Sequence, residues 1–490
     1  MDELIIQLYG NLGEYLSFSP SSFLKHIFYT TKKDDHFGCW LELPDGIMEN
    51  IFLRLNLVDR VRSGGVCKSW RSVVLVMHKR IGVDDPQLPW LLLPRSQSCK
   101  SLSFFSMSEG IVRNIKLPEA AEGGWCFGSS NGWLMMARGT EDEPEVFLVN
   151  PLSGFQLILP SLTTIFPYYY DHVDAARDPE RFAFFIDTMK VSCGEPSEDC
   201  IVAATMNNSK ILAFCKPGDK EWSVWEGGVN YDDEESCFYL DIIFFEGRLF
   251  VLVGMEMEMD GIPAAGFGSS YSTCMEVGNW EVMLTVIPYS VSDIIFDPAV
   301  DIEDMIAREN GVLERAGRNF NLVESDGELL MVVAFVDVHF TVTVGDDDDG
   351  GGFDDGEEEE YEDGGGYDDW DEEEYEEEDT AFCFVYFKTS NFGVYKVGCS
   401  TKLTSIGDKM LFLSKGESVS VSAADFKGYS GNLIYFLEDN DYSFEDHDPI
   451  VARESGVFYL DDERIERSFH STLPTECPTC WFTPRISIHG

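Results

Sequence analysis

The sequence predicts a mainly β chain that carries a small all-α module near its N-terminus. Three observations predict it. Apolar residues recur at helical spacing between about residues 41 and 80; from Gly124 onward the pattern changes to short apolar runs, each fed by a small or polar turn; and those turns recur at the interval of a propeller blade.

The helical block runs through LPDGIMENIFLRLNLVDRVRSGGVCKSWRSVV, Leu43 to Val74. Ile47, Met48, Ile51, Phe52 and Leu55 share one helical face, and Asp45, just after Pro44, is placed to cap the first turn. Val66, Cys67, Trp70, Val73, Val74 and Met77 line one face of a second helix, with Lys68, Ser69, Arg71 and Ser72 off it. Between them Leu57 to Gly65 makes a shorter helix that Gly64 and Gly65 penalise. Residues 1–40 form a lead to which no element is assigned.

In the β region five stretches repeat one theme: SSNGWLMMA, FFEGRLFVLV, ESDGELLMVVAF, IGDKMLFLS and YSGNLIYFL each read as a hairpin turn feeding a buried strand. Four others pair two strands across a charged or Gly-containing turn: VFLVNPLSGFQLIL, ILAFCKPGDKEWSVW, FGVYKVGCSTKLTSI and GVFYLDDERIERSF. Gly247 to Gly327 and Gly327 to Gly407 are both 80 residues, but 35 of the second interval belong to an acidic segment. The remaining 45 match one four-stranded blade of roughly 40 to 50 residues, which favours a β-propeller over a sandwich. The expected propeller spans 88–475, with 476–490 as a C-terminal tail.

The acidic segment, 345–379, holds 22 Asp and Glu among its 35 residues. Such a composition cannot bury itself, so it is expected to be a disordered insert at the tip of a hairpin between TVTV and AFCFVYF. Tyr361, Tyr367, Trp370 and Tyr375 would anchor a basic partner if it bound one, but a solvated loop is the favoured reading. Without those 22 charges the chain's formal −53 would still stand at −31, so acidity is general.

A surface of that sign repels phosphate backbones, which argues against nucleic-acid and anionic-membrane binding and in favour of basic or neutral protein partners. The N-terminal MDELIIQLYGNLGEYL has neither the basic start of a secretory signal nor the arginines of a transit peptide, and no apolar run reaches the roughly 18 residues of a membrane span. The expected location is the nucleus or cytoplasm. Thirteen cysteines lie scattered, often inside apolar runs, as expected of reduced core thiols; CPTC, Cys477 to Cys480, lacks a second ligand pair at zinc spacing and is read as structural.

The helical block stands out against this acidity. Seven basic residues between Arg54 and Arg80 face a single acid, Asp59, and a block of roughly 40 residues has more apolar surface than three short helices can cover. Exposed area of that kind costs about 25 cal/mol per Å2, which points to docking on an acidic partner. Packing of the same helices on the chain's own β domain is the alternative.

The order Leu43, Pro44, Ile47, Ile51, Leu55, Leu57, Asp59, Val66, Cys67, Trp70, Arg71, ending in VCKSWRS, resembles an F-box. That resemblance implies that these residues, Asp59 aside, bind a Skp-type adaptor and, through it, the cullin and RING subunits of an SCF ubiquitin ligase. PWLLLP (Pro89 to Pro94), GSSNGWL (Gly128 to Leu134), LVNPLSG (Leu148 to Gly154), FGVYKV (Phe392 to Val397), SVSVSAADFKGYSGNLIYF (Ser418 to Phe436) and GVFYLDD (Gly456 to Asp462) are similar, in order, to plant F-box proteins with a KIB-type β-propeller. This implies a three-helix F-box followed by a propeller that holds a target protein for ubiquitylation, without cofactor or metal and without catalysis of its own.

Two other readings compete. An enzyme on the propeller has little support: the eight histidines show no metal-binding spacing, GSSNG around Ser130 is followed by strand where a nucleophile elbow needs a helix, and GFGSSYS lacks the lysine of a phosphate loop. A protein-binding scaffold detached from any ligase is the second. The loop PYYYD, Pro167 to Asp171, is a candidate target contact but reads first as a loop.

Overall fold

The structure, a computed structural model, describes residues 43–81, 87–93, 101–118, 121, 124–140, 143–165, 186–194, 200–206, 209–225, 237–255, 265–267, 271–277, 280–291, 310–344, 381–399, 401–414, 416–442, 450–467 and 480–485. Three helices come first: α1 (Asp45–Phe52), α2 (Leu57–Gly64) and α3 (Lys68–Ile81). The described strands after them form six sheets of four or five strands, one per blade of a β-propeller.

The inner strands of blades 2 to 6 are Trp125–Ser130, Ile186–Val191, Cys237–Phe245, Asn310–Ser325 and Ser418–Ser422. Blade 1 is built from both ends of the chain. Its inner strand is Cys480–Phe482, paired antiparallel with Trp90–Leu92, and Ser101–Ser106 and Ile111–Lys116 complete it. The expected propeller boundary at 475 is therefore corrected, because residues 480–482 of the expected tail belong to the first sheet. The reason is packing: Trp481 and Phe482 have no exposed surface, Phe482 sits among Trp90 and Phe104, and Trp481 packs edge-on against Phe412 and Tyr435 of blade 6.

Three of the five predicted turns are hairpins from an inner strand to its neighbour. Asn131–Gly132, Glu246–Gly247 and Asp326–Gly327 all have positive φ at both positions, the two-residue turn whose twist matches a hairpin. The other two depart from expectation. Gly407 and Gly431 precede Lys409–Leu413 and Leu433–Tyr442, which run parallel in blade 6 and so cannot be joined by a hairpin. These two turns lie side by side: Asn432 N donates to Lys409 O, and a Cβ on Gly431 would fall 2.4 Å from Asp408 backbone atoms. Blade 4 also breaks the meander, with Trp280–Val291 parallel to Arg248–Met255. The four stretches of the second theme are all outer hairpins, in blades 2, 3, 5 and 6.

Among the described residues the longest strand pair is in blade 5, Glu328–Val344 against Ala381–Lys396, whose last pair is Val344 with Ala381. The acidic segment follows Val344 in the sequence; its own residues lie outside those described, as do residues 1–40, PYYYD and Cys477.

Polar contacts link every pair of adjacent blades. Ser129 Oγ donates to Trp481 O (blades 2 and 1), and Asn131 Nδ2 to Val191 O at 2.6 Å (2 and 3). Lys190 Nζ lies 4.0 Å from Asp241 Oδ1 (3 and 4), and Leu322 N donates to Asp241 Oδ2 at 2.6 Å (5 and 4). Ser418 Oγ donates to Asn321 Oδ1 at 3.1 Å (6 and 5), and Trp481 N to Ser414 Oγ at 3.2 Å (1 and 6). Burial raises the Asp241 carboxyl above its ordinary range, opposed by Lys190 and by the backbone donors Leu322 N and Ile242 N.

The cysteine expectation needs one correction. Cys193 and Cys200 are disulfide-bonded, while Cys67, Cys126, Cys215 and Cys399 carry free thiols. The pair had no spacing signal, because the hairpin of blade 3 brings the two strand ends together.

Candidate docking site on the helical module

Each helix of the module is fixed by a local device. Pro44 leads α1 into its first turn, and Ile47 N donates back to Pro44 O at 2.9 Å. The other end of α1 is held by Arg60, whose Nε and Nη2 donate to Phe52 O and Leu55 O at 3.2 and 3.3 Å. Phe52 O, at the last position of the helix, also accepts from Leu55 N at 3.0 Å, so the arginine braces the turn that ends α1. A reciprocal cap starts α2: Asn56 Oδ1 accepts from Asp59 N at 3.0 Å, and Asn56 Nδ2 donates to Asp59 Oδ2 at 2.9 Å. Trp70 N donates to Cys67 Sγ at 3.4 Å as α3 begins.

The three helices share a core of Met48, Phe52, Trp70, Val73, Val74 and Met77. Phe52 and Trp70 meet edge to face at 5.5 Å between ring centres. Trp70 is 5% exposed and its Nε1 is buried without a hydrogen-bond partner, so the ring acts as packing. This differs from the docking role expected of Trp70. The face that carries Val66, Cys67 and Trp70 turns inward against α1, because that is the nearest apolar surface. Leu57 is buried as well.

What remains outward is a mixed apolar and basic surface. Pro44, Ile47 and Arg71 are exposed, and Leu43, Ile51, Leu55, Val66 and Cys67 are half-buried. Leu53 and Val76, 52% and 47% exposed, extend the apolar part. Neither was anticipated. Leu53 lies just past the end of α1 and Val76 off the predicted face of α3, so helical periodicity did not select them. Arg54, Arg62, Lys68 and Arg71 of the same module are exposed. Its apolar area is not all free, however: Val58 of α2 is 6% exposed and belongs to the core shared by blades 1 and 2, with Trp90, Leu92, Leu134 and Phe147. The alternative of packing on the β body therefore holds for α2 at Val58, while Pro44, Ile47 and Leu53 face solvent.

Residues 40–81 match the F-box domain family, and residues 104–459 match the KIB1-4 β-propeller family. The chain belongs to the F-box proteins with a KIB1-4 β-propeller. The chain is 28% identical to F-box protein At4g00893 of Arabidopsis thaliana over 187 residues, 37% of this chain and 40% of that protein. It is 21% identical over 468 residues to Putative F-box protein At5g66830 of the same plant, 91% of this chain and 93% of that protein. F-box protein At1g69090, also from Arabidopsis, is 21% identical over 456 residues, 91% of this chain and 92% of that protein. No solved structure matches the chain significantly.

The F-box residues named from the sequence thus fall into two groups: Trp70, in the shared core of the module, and Leu57 are buried, and the other eight lie at least partly at its surface. Ser130 ends a strand, the turn Asn131–Gly132 follows, and Ser130 Oγ accepts from Val191 N at 3.1 Å, so GSSNG is a hairpin and not an elbow. GFGSSYS runs from one strand, Ala265–Phe267, into another, Tyr271–Val277. Cys480 is buried in the inner strand of blade 1, and no group of three potential metal ligands occurs among the described residues. Among them, too, no helix is long and apolar enough to cross a membrane.

Proposed function

We propose that this F-box protein is the substrate-recognition subunit of an SCF-type E3 ubiquitin ligase. The F-box docks on a Skp-type adaptor, which joins it to the cullin and RING subunits, and the propeller holds a target protein, basic or neutral in charge, in the nucleus or cytoplasm. The chain is then non-catalytic, and it accelerates ubiquitin transfer by raising the local concentration of target at a separate enzyme. The observation that supports this reading is the outward surface of Pro44, Ile47, Leu53 and Arg71, apolar and basic on a chain of net charge −53, next to a module back that Val58 attaches to the propeller. The test is co-purification of the full chain with a Skp-type adaptor, compared with Ile47→Asp and Arg71→Glu. Retention by the native chain and loss by both variants supports docking through this face. Failure of the native chain to retain the adaptor favours a scaffold outside any ligase.

A further inference from the structure

Blades 2, 4 and 5 connect inner strand to second strand by two residues, but in blade 3 the connection runs from Ser192 to Ile201. Its neck is closed twice. Ser192 N donates to Ile201 O at 2.9 Å, and Ile201 N to Ser192 Oγ at 2.8 Å; just beyond, Cys193 and Cys200 are bonded, with Cα atoms 5.7 Å apart. Cys193 is half-exposed and Cys200 is buried, so a small oxidant or a reducing thiol reaches one sulfur and not the other.

The neck also abuts the segment that closes the ring. A Cβ on Gly194 would lie 3.4 Å from Asn131 O and 3.6 Å from Arg485 Cδ. Arg485 Nη1 donates to Asn131 Oδ1 at 2.9 Å, Asn150 Nδ2 donates to Arg485 O at 3.0 Å, and Asn131 Nδ2 donates to Val191 O, two residues before Cys193. The residue after Cys193 therefore packs on both the turn of blade 2 and the arginine that follows the inner strand of blade 1.

We propose that Cys193 and Cys200 are a reversible, peroxide-responsive modification site whose oxidation tightens the hold on the C-terminal closing segment. Cys193 thiolate attacks hydrogen peroxide; an S–O bond forms, the O–O bond breaks, and the departing hydroxide takes up a proton to become water. Cys200 thiolate then attacks the sulfenic sulfur, the S–S bond forms and the second oxygen leaves as water. Two thiols lose two electrons, and one peroxide becomes two waters. A dithiol reverses the reaction by attack on the accessible Cys193 sulfur. With the bond closed the neck cannot spread, and Gly194 stays against Arg485. With it open, the neck loses its covalent closure and keeps the Ser192–Ile201 hydrogen bonds.

The test uses the purified full chain, reduced with dithiothreitol and then treated with hydrogen peroxide. Peptide mapping is expected to show a Cys193–Cys200 cross-link that dithiothreitol removes. Hydrogen exchange of residues 480–485 is expected to slow by about threefold or more on oxidation. That change should vanish in Cys193→Ser and, separately, in Arg485→Ala, which keeps both cysteines. Absence of the cross-link, or a cross-link that dithiothreitol does not open in the folded chain, overturns the reversible site. A cross-link formed with no change in exchange overturns its coupling to ring closure.

Discussion

The single hydroxyl proton of Ser129 is shared between Glu417 Oε2, at 2.9 Å from Oγ and 288 positions away in sequence, and Trp481 O. One side chain of blade 2 thereby touches blade 6 and blade 1. Thr483 N also donates to Glu417 Oε2, at 3.4 Å. Three distant parts of the chain converge here, and the last of them is a strand of only three residues.

Trp481 is the anchor of that strand, with no exposed surface and its Nε1 donating to Leu413 O at 3.0 Å. Trp481→Ala removes the ring from between blades 6 and 1 and is expected to cost about 3–5 kcal/mol. The check is the denaturant midpoint of the propeller in urea, with Lys116→Ala at an exposed position on the outer strand of blade 1 as a control expected to stay within about 0.5 kcal/mol.

Trp70 and Arg71 are neighbours in sequence with opposite expected roles. Trp70→Ala empties the core of the F-box and is expected to cost about 3–5 kcal/mol, seen as loss of helical circular dichroism and of adaptor binding together. Arg71→Glu leaves the helices intact and lowers adaptor affinity by about tenfold, more at low salt than at high, read by titration calorimetry against a Skp-type adaptor. Equal helical loss in both variants would remove the distinction between core and docking residue.

Val58 attaches the module to the propeller. Fully burying a valine side chain contributes about 1.5–3 kcal/mol, and Val58→Asp replaces that contribution with a buried charge. The F-box is expected to keep its own core and its adaptor affinity while its attachment to blades 1 and 2 is lost. Faster proteolytic cleavage between residues 81 and 87, with unchanged helical signal, is the expected readout.

Cys215, buried on the second-to-outermost strand of blade 3, gives an alkaline signature. Burial first, and then Asp219, raise its thiol well above the ordinary value of 9.0. Above pH 9 the unfolded thiol loses its proton while the folded one retains it, so the folded state binds more protons and stability falls as pH rises. Relative to Cys215→Ala, whose cavity cost does not depend on pH, the native chain should hold a constant advantage up to about pH 8. It should lose up to about 1.4 kcal/mol per unit above pH 9. Urea unfolding of both proteins between pH 7 and 10 measures this difference.

Local chemistry made much of the fold legible. Asn-Gly, Glu-Gly and Asp-Gly before apolar runs marked three inner hairpins, because glycine takes the positive φ of the second turn position without strain. The outer hairpins were legible for the same reason. Pairings that local signals do not encode were missed: Trp90 with Phe482, and the parallel pairs of blades 4 and 6. In the F-box, periodicity found the right helices but could not say which face turned inward. Trp70 faces Phe52 because α3 crosses α1, a tertiary choice, and Leu53 and Val76 became surface by the same crossing.

The first blade also sets an order of events at the ribosome. Leu92 pairs with Cys480, so the edge of blade 1 waits for 388 further residues to be made, which at typical elongation rates is roughly 20 to 80 seconds. The F-box, whose core lies entirely within residues 48–77, has no such wait. A nascent chain can therefore offer its helical module to a partner while the propeller is still an open arc with unpaired strand edges, the form that chaperones exist to shield.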